Sequence, residues 1–94
     1  MSAQPDFRFA SFDEATALQM RVAEALCALV ESLAMAGKIR RARRAMAAAR
    51  RILDETSRIA ASPQNSEAAR DLRACLDELD HRARNAETVL NLLE

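Results

Sequence analysis

Apolar side chains recur along this chain at three- and four-residue spacing through three separate stretches, the period of one face of an α-helix. The first stretch, about residues 12–36, carries two such stripes. Ala15, Leu18, Val22, Leu26, Leu29, Leu33 and Ala36 form one, and Met20, Ala23, Cys27, Val30 and Ala34 form the other. Its charge is confined to Asp13, Glu14, Arg21, Glu24 and Glu31, which a helical projection groups on the remaining side. One neighbouring helix cannot cover both stripes. The pattern therefore predicts a helix packed between two others, or one that offers its second stripe, with Met20, Cys27 and Val30, to another protein.

In the second stretch, about residues 38–61, Ile39, Ala42, Met46, Ala49, Leu53, Thr56 and Ala60 alternate three and four, flanked by Ala45, Ile52 and Ile59. The small residues on this face predict close approach to the first helix. Gly37, the only glycine, stands where a left-handed residue would close that helix. The third stretch, about residues 64–93, runs Ala69, Leu72, Leu76, Leu79, Ala83, Ala86, Leu90 and Leu93, supported by Cys75 and Val89. Its sustained heptad period predicts shallow, left-handed packing. Ser11-Phe12-Asp13-Glu14 has the form of a capping box before the first helix. Ser62-Pro63-Gln64-Asn65-Ser66 is the second connection, offering Ser62 or Asn65 as an N-cap. Short connections make successive helices antiparallel neighbours. The expected fold is all-α: an antiparallel up-down-up three-helix bundle with coiled-coil-like packing over residues 11–94.

Residues 1–10 read as an N-terminal tail, with Pro5 biasing Gln4 toward an extended conformation. The tail holds Phe7 and Phe9, and Phe12 follows, so all three aromatic side chains lie in the first 12 residues. Two readings are open. The rings fold back to plug one end of the bundle, since exposed Phe is costly, or the tail is a short linear segment that docks on a partner.

Composition changes the picture only in part. A chain of 94 residues makes one domain with a modest core, and association with another chain would add stability. Trp and Tyr are absent and half of the residues are hydrophobic, the makeup of a helical protein. The sequence shows no run long enough for a membrane span and no basic segment ahead of a hydrophobic one, which predicts a cytoplasmic location. Cys27 and Cys75 read as reduced thiols on or beside apolar faces. Together with His81 they are too few for a zinc site.

Charge is balanced at 14 basic against 14 acidic side chains but segregated along the chain. Residues 38–58 carry eight basic and two acidic side chains, while the stretches on either side are each net acidic. Arg40, Arg43, Arg44, Arg50 and Arg51 project away from the Ile39/Met46/Leu53 stripe and form a basic face. That face pairs with Asp77, Glu78 and Asp80 across the groove to the third helix, contacts phosphates, or docks an acidic partner. No aromatic is interleaved with the arginines, which weakens base stacking as a mode.

Candidate chemistry is thin. Glu78-Leu79-Asp80-His81 has the Glu-x-x-His spacing of di-iron bundles, but Leu79 holds the core position and turns Glu78 and His81 outward. A general base at His81, or a carboxylate pair at Asp77 and Asp80, would need a pocket that a narrow Ala/Leu bundle has little room for. The sequence predicts no metal, no cofactor and no enzymatic activity.

Leu26, Leu29, Leu33, Gly37, Ala42, Met46 and Ala49 resemble the tetratricopeptide-repeat pattern, with large apolar positions on one helix, glycine at the turn, then small, large and small. The match covers about a third of the chain. It implies a peptide- or subunit-binding helical module, as in small chaperones of bacterial type III secretion systems. The function expected is a non-enzymatic protein–protein interaction module that self-associates or joins a hetero-oligomer. The alternative is a nucleic-acid-binding protein that uses the arginine face.

Overall fold

The computed structural model describes residues 14–60 and 67–94. Three helices account for almost all of them: α1 (Glu14–Met35), α2 (Ile39–Ala60) and α3 (Glu67–Leu93). No strand occurs among the described residues, and each helix packs against both others. The proposed tail with Phe7 and Phe9, the capping box from Ser11 to Asp13, and the connection over 61–66 lie outside the described residues.

The helices alternate in direction, as two cross-helix contacts show. Gln19, near the start of α1, meets Thr56 near the end of α2. Arg43, near the start of α2, pairs with Glu94 just past the end of α3. The chain is an up-down-up three-helix bundle.

Gly37 makes the first reversal. Its φ of 78° is left-handed, a conformation that costs any residue with a Cβ. The amide of Lys38 donates to the carbonyl of Leu33 at 2.8 Å and that of Gly37 to Ala34 at 3.0 Å. These paired bonds close α1 by satisfying carbonyls that the helix end leaves free. Within one further residue α2 begins, with Ala42 donating to the Lys38 carbonyl.

The stripes of α2 and α3 face inward as their spacing predicts, except at the end of α3, where Leu93 is exposed because the bundle does not extend past it. Ala42, Met46, Ala49 and Leu53 meet Leu72, Leu76, Leu79, Ala83, Ala86 and Leu90 in one core. Each fully covered leucine, Leu79 among them, contributes roughly 1.5–3 kcal/mol of burial. Thr56 occupies the next inward position of α2 and is completely buried. Its hydroxyl donates to the Ile52 carbonyl at 2.8 Å, so no polar atom is left unsatisfied there.

On α1 the orientation differs from the expected one. Met20, Ala23, Cys27 and Val30 are all 0 % exposed and form the α1 part of the core. Met20, Cys27 and Val30, expected to meet another protein, are instead covered by this chain's own α2 and α3. The opposing stripe, Leu18, Val22 and Leu29, faces outward. Two features favour this rotation. Small Ala23 and Ala34 join the same core as Ala42, Ala45 and Ala49 of α2, and helices approach closely only if side chains are small. Glu24 and Glu31 stay at the half-buried edge of the helix, outside the core.

Candidate functional site

The outward face of α1 is apolar where an ordinary bundle helix would be charged. Leu18 is 57 % exposed, Leu29 45 % and Val22 39 %, and the exposed Ala25 and Ser32 continue the same three-four spacing. These positions lie on the far side of the helix from Met20, Cys27 and Val30. Leu26 and Leu33 sit at the edge toward α2, half-buried against the core.

The helical phase of α2 gives it two flanks. Toward α3 it turns Arg43, Met46 and Arg50, which with Glu87, Leu90 and Asn91 line an open cleft of about 220 Å³. Toward α1 it turns Ala48 and Ile52, both half-buried, and the exposed Arg41. The contact between Thr56 and Gln19, 3.4 Å apart, fixes that assignment. Two packed helices leave a groove along their outer surface, and helical phase puts Val22, Leu26, Leu29 and Leu33 on its α1 side and Ala48 and Ile52 on its α2 side.

The arginines divide accordingly. Arg50 donates to Asp80 at 2.6 Å and lies 3.7 Å from Glu87, while Arg43 pairs with Glu94. Asp80 also holds Arg84, one turn farther along its own helix, at 3.0 Å. Of the acids expected to answer the basic face, Asp80 does so, joined by Glu87 and Glu94. Arg40, Arg44 and Arg51 are exposed and make no ion pair among the described residues, and the same holds for Arg41. A shallow concavity of about 390 Å³ at the start of α2 is lined by Gly37, Lys38, Ile39, Arg40 and Arg41.

The remaining chemistry-bearing residues stay apart. Cys27 is buried and Cys75 half-buried, and neither forms a disulfide. Burial pushes the Cys27 thiol above its ordinary value of 9.0, against the pull of Arg82 and Arg50. His81 is exposed, and among the described residues no three His, Cys, Asp or Glu side chains stand close enough to hold a metal ion. None of the described helices is long and apolar enough to cross a membrane.

Leu18, Val22, Leu29 and Arg41 are the surface residues that sequence reasoning did not single out as a site. The signal was present as one of two equivalent stripes, and only the packing shows which of them is free. No family model matches the chain, and no curated protein or solved structure does.

Proposed function

We propose that this chain is a non-enzymatic module for protein–protein interaction, a cytoplasmic adaptor, small chaperone or assembly subunit, which docks through the outward face of α1. The observation that carries this reading is the exposure of Leu18, Val22 and Leu29 on one face of a single helix. From Leu18 to Leu29 the stripe runs roughly 17 Å. With the half-buried Leu26 and Leu33 beside it and Ala48 and Ile52 across on α2, it makes one apolar patch, the kind of surface that on monomers is often functional. The likeness of the α1–α2 hairpin to a tetratricopeptide repeat points the same way. Thiols outside any disulfide fit a reducing compartment.

The test combines light scattering with binding of a hydrophobic dye to the full chain. The parent is expected to self-associate or to bind dye, and the Leu18→Gln/Val22→Gln/Leu29→Gln variant to do neither while melting at an unchanged denaturant concentration. A parent that stays monomeric at high micromolar concentration and binds no dye overturns the reading.

A second reading, contact with nucleic-acid phosphates, is favoured by one observation. Arg40, Arg44 and Arg51 lack acidic partners among the described residues, whereas Arg43 and Arg50 have them. It ranks below the first because unpaired arginines on a helix surface are stable in water as they stand.

A further inference from the structure

The groove between α1 and α2 has a charge character as well as an apolar floor. We propose that its occupant is an amphipathic helix of a partner protein, apolar on one side and acidic on the other, laid beside α1 and α2 as a fourth helix. This rests on the docking function proposed above and names the chemistry of the partner.

The floor is built by Val22, Leu26, Leu29 and Leu33 of α1 with Ala48 and Ile52 of α2. A fourth helix seated there would lie about 8–10 Å from both neighbouring axes, the usual spacing of packed helices. It would cover the half-buried Leu26 and Leu33 together with the exposed Val22 and Leu29. Its own apolar stripe would then face the floor, and its flank would run beside the rim of α2.

That rim is cationic. Arg41 and Arg44 stand along it, with Arg51 one step farther out, and all three are exposed without an ion pair among the described residues. Glu55 is the acid among them. The comparison within α2 is informative: the flank toward α3 carries Arg43 and Arg50, and α3 meets them with Glu94, Asp80 and Glu87. The flank toward the groove is built alike but has no acidic helix beside it. A helix bearing carboxylates at matching intervals would complete it as α3 completes the other, and opposite charge favours both encounter and register.

A second copy of this chain fits less well. The free face it would contribute is flanked by Glu14 and Arg21, a mixed pair that gives the arginines no consistent partner. The N-terminal residues Asp6, Phe7, Arg8 and Phe9 are equally mixed in charge.

Two labelled peptides of about 20 residues test the proposal, both with leucine at the core heptad positions. One carries alanine and glutamate elsewhere, the other alanine and lysine. Binding to the full chain is followed by fluorescence anisotropy at low and high salt. The glutamate peptide is expected to bind about tenfold or more tightly than the lysine peptide at low salt. That preference should shrink to within about twofold at high salt, where exposed charges are screened, and in Arg41→Gln/Arg44→Gln/Arg51→Gln. Val22→Gln/Leu29→Gln should lose both peptides, with circular dichroism confirming that each variant stays folded.

Equal binding of the two peptides overturns the acidic partner and leaves the apolar docking face standing. If neither peptide binds but Leu29→Gln abolishes a dimer seen in sedimentation, a second copy is the occupant and the proposal fails. If binding begins only in Phe7→Ser/Phe9→Ser/Phe12→Ser, the chain's own N-terminal segment is the occupant, and it fails likewise. Absence of dye binding and self-association in the parent overturns the docking function itself, a separate result.

Discussion

Leu18 and Met20 stand two positions apart on α1 and point in opposite directions, the first 57 % exposed and the second fully covered. Side chains at that separation lie nearly opposite each other around a helix. Hydropathy does not distinguish the two residues, so their energetic roles are set by packing alone.

Met20→Ala should therefore cost about 2–5 kcal/mol, because it removes buried area and leaves a cavity. Leu18→Ala should change stability by no more than about 0.5 kcal/mol. Denaturant melts of both variants decide the matter, and equal midpoint shifts would mean that α1 is rotated from the position described.

The divided arginines change what phosphate contact would look like. All five arginines of the basic face in contact would give a slope of log affinity against log salt near −4.5, but the three of those five without an ion pair, Arg40, Arg44 and Arg51, would give about −2.7, or roughly 40-fold weakening from 50 to 200 mM salt. The expected outcome is no submicromolar duplex binding at physiological salt. Tight binding that disappears in Arg40→Gln/Arg44→Gln/Arg51→Gln would promote the nucleic-acid reading.

The two thiols should titrate separately with a disulfide reagent. Cys75, half-buried, is expected to react quickly in the folded protein, and buried Cys27 only at the rate of global opening. Because the folded pKa of Cys27 is raised above 9.0, its contribution to stability is complete below that pH and is lost as pH rises through the folded value. Alkaline melts of the parent and Cys27→Ala should diverge in pH dependence only above about pH 9. A divergence at neutral pH would contradict the assigned direction.

At Gly37 a Cβ would meet nothing within 4 Å, so space is no obstacle to substitution. The left-handed φ is. Gly37→Ala should destabilise the bundle by about 1–2 kcal/mol through backbone conformation alone. Gly37→Asn should cost less, since asparagine visits that region more readily. Equal losses would remove the backbone explanation.

Much of this architecture was legible in the residues. The stripes of α2 and α3 are each bordered by charge, so only one face of either helix could turn inward, and Gly37 marked the first turn through a conformation that glycine favours. The rotation of α1 was not legible. Its two stripes share the same spacing, and what separates them is which one joins a core whose other members, Ala42 and Ala49 among them, lie far away in sequence. The division of the arginines was half legible. Helical phase separates Arg43 and Arg50 from Arg40, Arg44 and Arg51, but the pairing of Arg43 with Glu94 needs the alignment of α2 and α3 that only the fold supplies.

Ala42 and Ala49 are both wholly covered where α2 lies against its neighbours. Neither position has room to grow, since an added methylene in a packed core forces strain of about 1–3 kcal/mol. Neither can shrink cheaply, because glycine in a helix interior costs about 1 kcal/mol. Sequence drift is therefore pinned at these alanines while the outward leucines of α1 are free, as far as folding is concerned, to become polar. A lineage that retained those leucines over many substitutions would be recording selection for something other than the fold.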